Sequence, residues 1–263
     1  MKLTIYLLFI PLIGFAGSNQ TQINKGMSVQ EVGPDSYLVR ETTFSDQNIL
    51  VTKMKNNFVV VSSSPYDTVD TRDLIQWINE KLKPKKIIAI NTHFHSDGTG
   101  GNEAFQEAGA EIWASDLTDK LYRENADKGK TTEIKYFGNK PDLKARIETR
   151  KIVFADHLVK AQAGKVFDFK GEKVVLKYPG PAHTIDNMVV YFPERKILYG
   201  NCMVRAGDSL GYLGDADVQS WAKSVGSIQD LEASIVIPGH GNYGGPELIQ
   251  RTIQLANEAA SKK

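Results

Sequence analysis

Cysteine is nearly absent from this chain of 263 residues, since Cys202 is the only one. A single cysteine cannot form a disulfide within the chain, so the fold does not depend on an oxidising compartment. The lone thiol has two interpretations. It is either a buried and inert side chain, which is the usual case, or a thiolate that holds a ligand.

An excess of charge of one sign is also absent. With 32 basic and 31 acidic residues the formal net charge is +1, so no overall field attracts a polyanion. Nucleic acid is therefore not expected as a partner, and a small polar ligand fits the composition better. Hydrophobic residues make up 41% of the chain, which is enough for a large core. We assign residues 19–263 to a single domain built from two αβ halves.

Long hydrophobic runs are missing after the first twenty residues, which read "MKLTIYLLFIPLIGFAGSNQ". Lys2 precedes an apolar run from Leu3 to Phe15, and the small residues Ala16 and Ser18 follow it, as in a signal peptide. A membrane anchor is the alternative, but the run is shorter than the roughly 20 apolar residues that a spanning helix needs. The sequence predicts a signal peptide over residues 1–18, a periplasmic location and no stable membrane association after cleavage.

Strand-like and helix-like patterns alternate along the remaining chain. Runs rich in β-branched and aromatic residues, such as "NNFVVVSSS", are separated by polar breaks and predict antiparallel strands. A helix is then predicted by apolar residues on one face, namely Leu74, Ile75, Ile78 and Leu82, and a buried strand by the run Ile87 to Ile90. Strands followed by a helix occur twice. This predicts an α/β fold, a four-layer αββα sandwich of two mostly antiparallel or mixed sheets with outer helices.

The second half contains further helical patterns. Residues 116–149 are charged and lysine-rich, which indicates a solvated helical excursion, although a wall or lid over a site is the alternative. A short helix is predicted from about Asn102, a longer one from about Asp217 to Leu231, and a last one from Pro246.

Four of the five histidines come directly after strand-like runs and lie beside glycine or proline. They stand in "NTHFHSDG", "GPAHTIDN" and "IPGHG", and Cys202 has the same context in "LYGNC". Residues i and i+2 of a strand face the same way, so His93, His95 and Asp97 converge if the extended geometry persists. The fifth histidine, His157, has no such motif and is not counted among the candidate ligands.

These residue types suit zinc. Three neutral imidazoles favour a borderline metal, and a hydrolytic zinc site needs three protein ligands and an open position for water. The remaining aspartate, thiolate and imidazole would make a second triad. A metal-binding module without hydrolytic activity is a different hypothesis, but a closed structural zinc usually has four protein ligands.

Five segments in order, "HFHSDGTGG", "GPAHTIDN", "GNCMVR", "GYLGDAD" and "IPGHG", resemble the metallo-β-lactamases over essentially the whole mature chain. The resemblance implies two zinc ions per chain. It implies that the first ion is bound by His93, His95 and His183, and the second by Asp97, Cys202 and His240. His93 favours the dizinc, three-histidine subclass, because the monozinc carbapenemase subclass has asparagine at this position.

Gly98 separates this chain from other branches of the same superfamily. Glyoxalase II and ribonuclease Z place a metal-binding histidine directly after the motif aspartate, where this chain has Gly98. The resemblance implies that Cys202 replaces that ligand, so the lone cysteine is a metal-bound thiolate. Hydrolysis of another ester, thioester or phosphodiester remains an alternative, although Gly98 and Cys202 argue against those branches.

The resemblance also implies a reaction and its partner. Penicillins, cephalosporins and carbapenems would be hydrolysed at the β-lactam amide by a zinc-bound hydroxide, giving antibiotic resistance, with the enzyme acting as a monomer. Asp97 would orient the hydroxide and Arg205 would bind the substrate carboxylate. Tyr212 stands where many relatives have an asparagine that contacts the substrate, and Ser63 stands where many have an aspartate that supports the first metal.

Three residues have simpler interpretations. Arg205 is alternatively an ordinary surface arginine, since one basic residue in a loop is weak support for binding. Asp215 in "GDAD" is interpreted as a buried hydrogen-bonding residue or a helix cap and not as a ligand. The segment "SWAK", which includes Ser220, matches a serine β-lactamase motif but lacks its companion motifs, so the match is attributed to chance.

Overall fold

The computed structural model describes residues 20–262, so the predicted signal peptide lies outside the described residues. The first sheet contains β1 (Thr21–Asn24), β2 (Met27–Gly33), β3 (Ser36–Glu41), β4 (Gln47–Lys53), β5 (Phe58–Ser62), β6 (Lys86–Ile90), β7 (Glu111–Ser115) and β8 (His157–Val159). The second contains β9 (Lys165–Phe169), β10 (Glu172–Lys177), β11 (Val189–Phe192), β12 (Ile197–Asn201) and β13 (Ile235–Pro238). The helices are α1 (Thr68–Leu82), α2 (Ser96–Thr99), α3 (Asn102–Glu107), α4 (Asp116–Tyr136), α5 (Pro141–Thr149), α6 (Val218–Gly226) and α7 (Glu247–Ala260).

Both sheets are mixed, as expected. In the first sheet β1 to β5 pair antiparallel and β5 to β8 pair parallel. In the second sheet β9 to β12 pair antiparallel, and β13 joins β12 in parallel. Parallel neighbours bring the carboxyl ends of several strands to one edge of each sheet. This edge is where the loops with the histidine motifs begin.

Three hydrophobic clusters separate the layers. The cluster between the sheets draws from both of them, including Leu50, Val60, Ile88, Val190 and Ile237. The outer face of the first sheet packs on α1 and α3 through a second cluster that includes Val59, Val61, Leu74 and Phe105. A third cluster, including Leu198, Trp221, Val225 and Ile249, covers the second sheet with α6 and α7. Because side chains alternate along strand β5, Val60 faces the second sheet, whereas Val59 and Val61 face the outer helices. The layers together form the predicted αββα sandwich.

Helix α1 shows how local sequence sets these layers. Asp67 caps it by accepting a hydrogen bond from the Asp70 backbone N–H at 3.0 Å, and Lys83 in the left-handed region ends it just before Pro84. Its apolar residues recur every three or four positions, so a single face is buried against the sheet. No helix in the part of the chain that the structure describes is both long and apolar enough to cross a membrane.

One predicted helix is too long and one predicted cap is wrong. Helix α6 ends at Gly226, and only a 3₁₀ turn, Gln229–Leu231, continues toward the predicted end. Its cap is Asp217, whose side chain accepts from the Ser220 N–H at 3.0 Å. Asp215 lies two residues earlier and is exposed, so it neither caps the helix nor is buried. The short helix α3 and the last helix α7 start where the sequence predicts.

Candidate metal centre and substrate cleft

The opening motif is positioned by β6 and by the helical turn α2. The chain leaves β6 at Ile90 and bends over residues 93–95 before α2, with His95 directly preceding the first residue of that helix. Extended geometry does not continue through Asp97, contrary to the strand-alternation argument, because this residue already lies in α2. The helical turn brings Asp97 Oδ1 to 3.1 Å from His93 Nε2 instead.

The other three candidate ligands come from the second sheet. Cys202 directly follows β12 and His240 lies two residues beyond β13, and these strands are parallel neighbours. His183 lies in the loop that joins β10 to β11. All six candidate ligands therefore meet between the two sheets, at the edge where the strands end.

The first triad consists of His93, His95 and His183. Each offers a ring nitrogen within 4.8 Å of the others, and His95 Nδ1 lies 3.3 Å from His183 Nε2. His93 is fully buried, and its Nε2 makes no hydrogen bond among the described residues, although Asp97 lies beside it. Burial and the neighbouring His95 lower the pKa of His183 well below its usual value. Three convergent imidazoles of this kind fit a bound metal ion.

The second triad consists of Asp97, Cys202 and His240. Asp97 Oδ2 lies 3.0 Å from Cys202 Sγ and 3.2 Å from His240 Nε2, and the sulfur and that nitrogen are 3.4 Å apart. Burial and the adjacent carboxylate raise the pKa of the Cys202 thiol well above its usual value. A buried carboxylate and thiol in contact can both be ionised only when a cation compensates their charge, so this donor set fits a metal ion.

Hydrogen bonds to the outer ring nitrogens orient two of the histidines. His95 Nε2 lies 2.9 Å from Asp215 Oδ2, and His240 Nδ1 donates to the Asp46 carbonyl at 2.8 Å. Each bond holds a proton on the outer nitrogen and leaves the inner nitrogen free to bind a metal. The hydrogen bond with His95 also lowers the pKa of Asp215. The sequence interpretation of Asp215 missed this contact, because nothing local links the two residues.

Three buried side chains hold the backbone of the motif. Ser63 Oγ and Gln47 Nε2 both donate to the Asp97 carbonyl, at 2.5 and 2.6 Å, and Asn91 Nδ2 donates to the Gly98 carbonyl at 2.7 Å. Ser63 has a φ of 74°, an unusual value for a residue other than glycine. Through its hydroxyl, Ser63 holds the backbone carbonyl of Asp97 in place. Of these three residues, only Ser63 stands at a position where the family resemblance implies a role.

Comparisons with known proteins agree with this geometry. The profile of the metallo-β-lactamase superfamily matches residues 66–240. The chain belongs to the metallo-β-lactamase family. The metallo-β-lactamase type 2 of Elizabethkingia meningoseptica is 31% identical over 78% of this chain and 73% of its own length, and that of Bacillus cereus is 30% identical over 89% and 81%. The solved metallo-β-lactamase from Pontibacter korlensis matches with a TM-score of 0.73 and 27% identity, over 88% of this chain and 99% of its own.

The two triads open into a cleft of about 780 Å³. Tyr212 lies at its mouth, 62% exposed, with its ring 5.9 Å from that of His95. Arg205 lines the cleft, and its Nε donates to the Ser209 carbonyl at 3.2 Å. Among the described residues no carboxylate forms an ion pair with Arg205, so its guanidinium charge is available to a ligand.

The charged segment of residues 116–149 forms a wall of this cleft. Helix α4 contributes Tyr122, Asn125, Lys128 and Glu133, so the wall interpretation of this segment is correct. A hydrophobic cluster of Phe44, Phe137 and Ile147 joins the wall to the loop between β3 and β4. Arg150 reinforces it by pairing with Glu133 at 2.8 Å and donating to the Tyr66 carbonyl at 2.6 Å.

Two residues that the sequence drew attention to lie elsewhere in the fold. Ser220 of the "SWAK" segment is in α6 and does not line the cleft. This position agrees with a chance match to the serine β-lactamase motif. His157 is in β8, where its ring stacks on Trp113 at 4.5 Å between centroids. Neither residue contacts the two triads.

Proposed function

We propose that this protein is a zinc-dependent β-lactamase that binds two zinc ions. His93, His95 and His183 would hold one ion, and Asp97, Cys202 and His240 the other. The observation that carries the proposal is the position of Asp97, which faces His93 through Oδ1 and both Cys202 and His240 through Oδ2. Two donor sets that meet at one carboxylate suit two metal ions acting on one substrate.

Hydrolysis adds water across the lactam amide. The water oxygen bonds to the carbonyl carbon, the carbon–nitrogen bond breaks, and the ring nitrogen takes a proton. Bound zinc would supply Lewis acidity and lower the pKa of water from 15.7 to about 7. Burial opposes ionisation of Asp97, but the adjacent His93 and the hydrogen bond with His240 hold its pKa well below the usual value. Asp97 therefore stays ionised, accepts a hydrogen bond from the attacking water and orients it.

Two cleft residues orient the substrate in this proposal. Arg205 binds the carboxylate that β-lactams carry beside the ring nitrogen, because its fork of N–H donors matches a carboxylate and no acidic side chain of residues 20–262 pairs with it. Tyr212 covers the first triad and contacts the substrate above it. Penicillins, cephalosporins and carbapenems are the proposed substrates.

The cellular side of the proposal comes from the sequence. Residues 1–18 act as a signal peptide, and residues 19–263 form the mature single domain, which acts as a periplasmic monomer and confers resistance to β-lactams. Cell fractionation and sequencing of the mature N-terminus test export, and light scattering tests the monomer. A full-length protein retained in the cytoplasm would contradict the predicted leader.

The decisive experiment measures turnover of a carbapenem and a cephalosporin by the mature protein. We expect hydrolysis that a chelator abolishes and added zinc restores, with about two zinc ions per active chain. Full zinc occupancy without hydrolysis of either drug would overturn the lactamase assignment and favour another substrate on the same centre. Expression in a susceptible bacterium should raise the inhibitory concentration of the same drugs, and the Asp97→Asn variant provides the inactive control.

A further inference from the structure

The cleft wall carries a cation that the proposed reaction does not use. Lys128 lies on α4 and lines the cleft, and its ammonium forms no ion pair among the described residues. The acidic side chains that line the same cleft are all engaged. Asp97 belongs to the second triad, Glu133 pairs with Arg150 at 2.8 Å, and Asp215 bonds to His95 at 2.9 Å.

We infer that Lys128 is a specificity-determining residue that binds a second anionic group of the substrate. The ligand class is a β-lactam that carries a carboxylate on its acyl side chain in addition to the ring carboxylate. This inference rests on the proposed β-lactamase function and deepens it.

The two cleft cations that pair with no carboxylate among the described residues come from different elements of the fold. Lys128 lies on α4, the wall of the cleft. Arg205 lies three residues beyond Cys202, in the loop after β12 of the second sheet. A ligand that fills the cleft can therefore meet one cation from each of these elements.

The chemistry of β-lactams matches a cleft with two such cations. The ring carboxylate is attached beside the lactam nitrogen, whereas the acylamino side chain is attached across the ring, next to the carbonyl carbon. With the ring carboxylate on Arg205, the acyl side chain leaves the lactam ring on its other side and can reach the α4 wall of the same cleft. Gly129 follows Lys128 and also lines the cleft, and a Cβ atom there would meet nothing within 4 Å, so the cleft is open beside Lys128.

A matched pair of substrates isolates the second charge. Benzylpenicillin and carbenicillin differ only by a carboxylate on the carbon beside the side-chain carbonyl. The zinc-loaded mature enzyme is compared with Lys128→Ala, Lys128→Arg and, as a control, Lys135→Ala, which removes an exposed lysine of the same helix outside the cleft. The measured quantity is the ratio of kcat/KM for carbenicillin to kcat/KM for benzylpenicillin.

We expect Lys128→Ala to lower this ratio about five-fold, mainly through KM for carbenicillin, because a solvent-exposed ion pair contributes up to about 1 kcal/mol. Lys128→Arg and Lys135→Ala should keep the wild-type ratio, and added salt should shrink the difference. An unchanged ratio in Lys128→Ala would overturn the inference, as would an equal loss for both penicillins. If the zinc-loaded wild-type enzyme hydrolysed neither of the two penicillins, the proposed function would be refuted instead.

Discussion

Gly98 and His93 approach so closely that no side chain fits between them. A Cβ atom at Gly98 would lie 2.3 Å from the His93 carbonyl oxygen and 2.9 Å from its Nδ1. The position that carries a histidine ligand in glyoxalase II and ribonuclease Z is thus closed on this backbone. The second triad instead contains the sulfur of Cys202, which follows a strand of the other sheet.

Gly98→Ala should therefore disturb the centre and not only the loop. The added methyl group must push the His93 peptide away, so we expect zinc affinity to fall at least ten-fold, the size of effect seen when the support of a metal ligand is lost. Competition with a chromophoric chelator measures the affinity. Gly226→Ala is the control, because a Cβ there meets nothing within 4 Å. Equal affinities in the two variants would contradict the argument.

Cys202→Ser should remove most zinc from the second triad and leave the fold intact. The serine hydroxyl is isosteric but far less acidic, so it is a poor ligand for a borderline metal. Metal analysis after dialysis is expected to find about one zinc ion per chain, against about two in the wild type. Two ions retained by the variant would exclude Cys202 as a ligand.

Asp215→Asn tests the orientation of His95. The amide weakens the hydrogen bond that keeps the proton on Nε2, so we expect zinc affinity of the first triad to fall about ten-fold. Asp217→Ala is the matched comparison two residues away, because it removes the cap of α6. It should lower the free energy of unfolding by about 1 kcal/mol and leave zinc affinity unchanged. Lower stability with unchanged zinc affinity in Asp215→Asn, and lower zinc affinity in Asp217→Ala, would contradict both assignments.

Arg205→Ala should raise KM for β-lactams about ten-fold or more, with a smaller effect on kcat, because a charged hydrogen bond to the bound carboxylate is lost. Arg205→Lys should recover part of the loss by keeping the charge without the fork. Steady-state kinetics with benzylpenicillin measure both constants. Kinetics of Arg205→Ala that match the wild type would return Arg205 to the surface-arginine interpretation.

Glu41 makes stability depend on pH away from the metal centre. Burial, together with the charges of Asp70 and Asp67, raises its pKa from 4.5 to about 8. The folded state then holds a proton that the unfolded state releases, so the free energy of unfolding falls as pH rises from 4.5 to about 8. The expected slope is up to about 1.4 kcal/mol per pH unit.

Urea denaturation of the metal-free protein at pH 5, 6.5 and 8 measures this slope. Glu41→Gln should be less sensitive to pH than the wild type across that window, because the amide does not titrate. The difference between the two curves isolates Glu41 from the histidines, which titrate in both proteins. Parallel curves would show that Glu41 has an ordinary pKa.

Local sequence patterns predicted several elements of this structure. Apolar spacing located α1, and the run Ile87 to Ile90 located β6, because each pattern reflects one element with one buried face. The end of α6 was placed too late, since Gly226 stops the helix within a pattern that continues to Leu231. The types of the six candidate ligands and their order were also readable, because glycine-flanked histidines after strands form a local signal.

Only the tertiary structure decided how these residues meet. Asp97 and Cys202 are 105 positions apart and come into contact because two sheets end at the same edge. His95 and Asp215 are 120 positions apart, so no local pattern could assign Asp215 to the centre. The placement of α4 as a cleft wall likewise depends on packing against the β3–β4 loop. Sequence periodicity determines which face of an element is apolar, whereas distances between elements arise from how those faces pack.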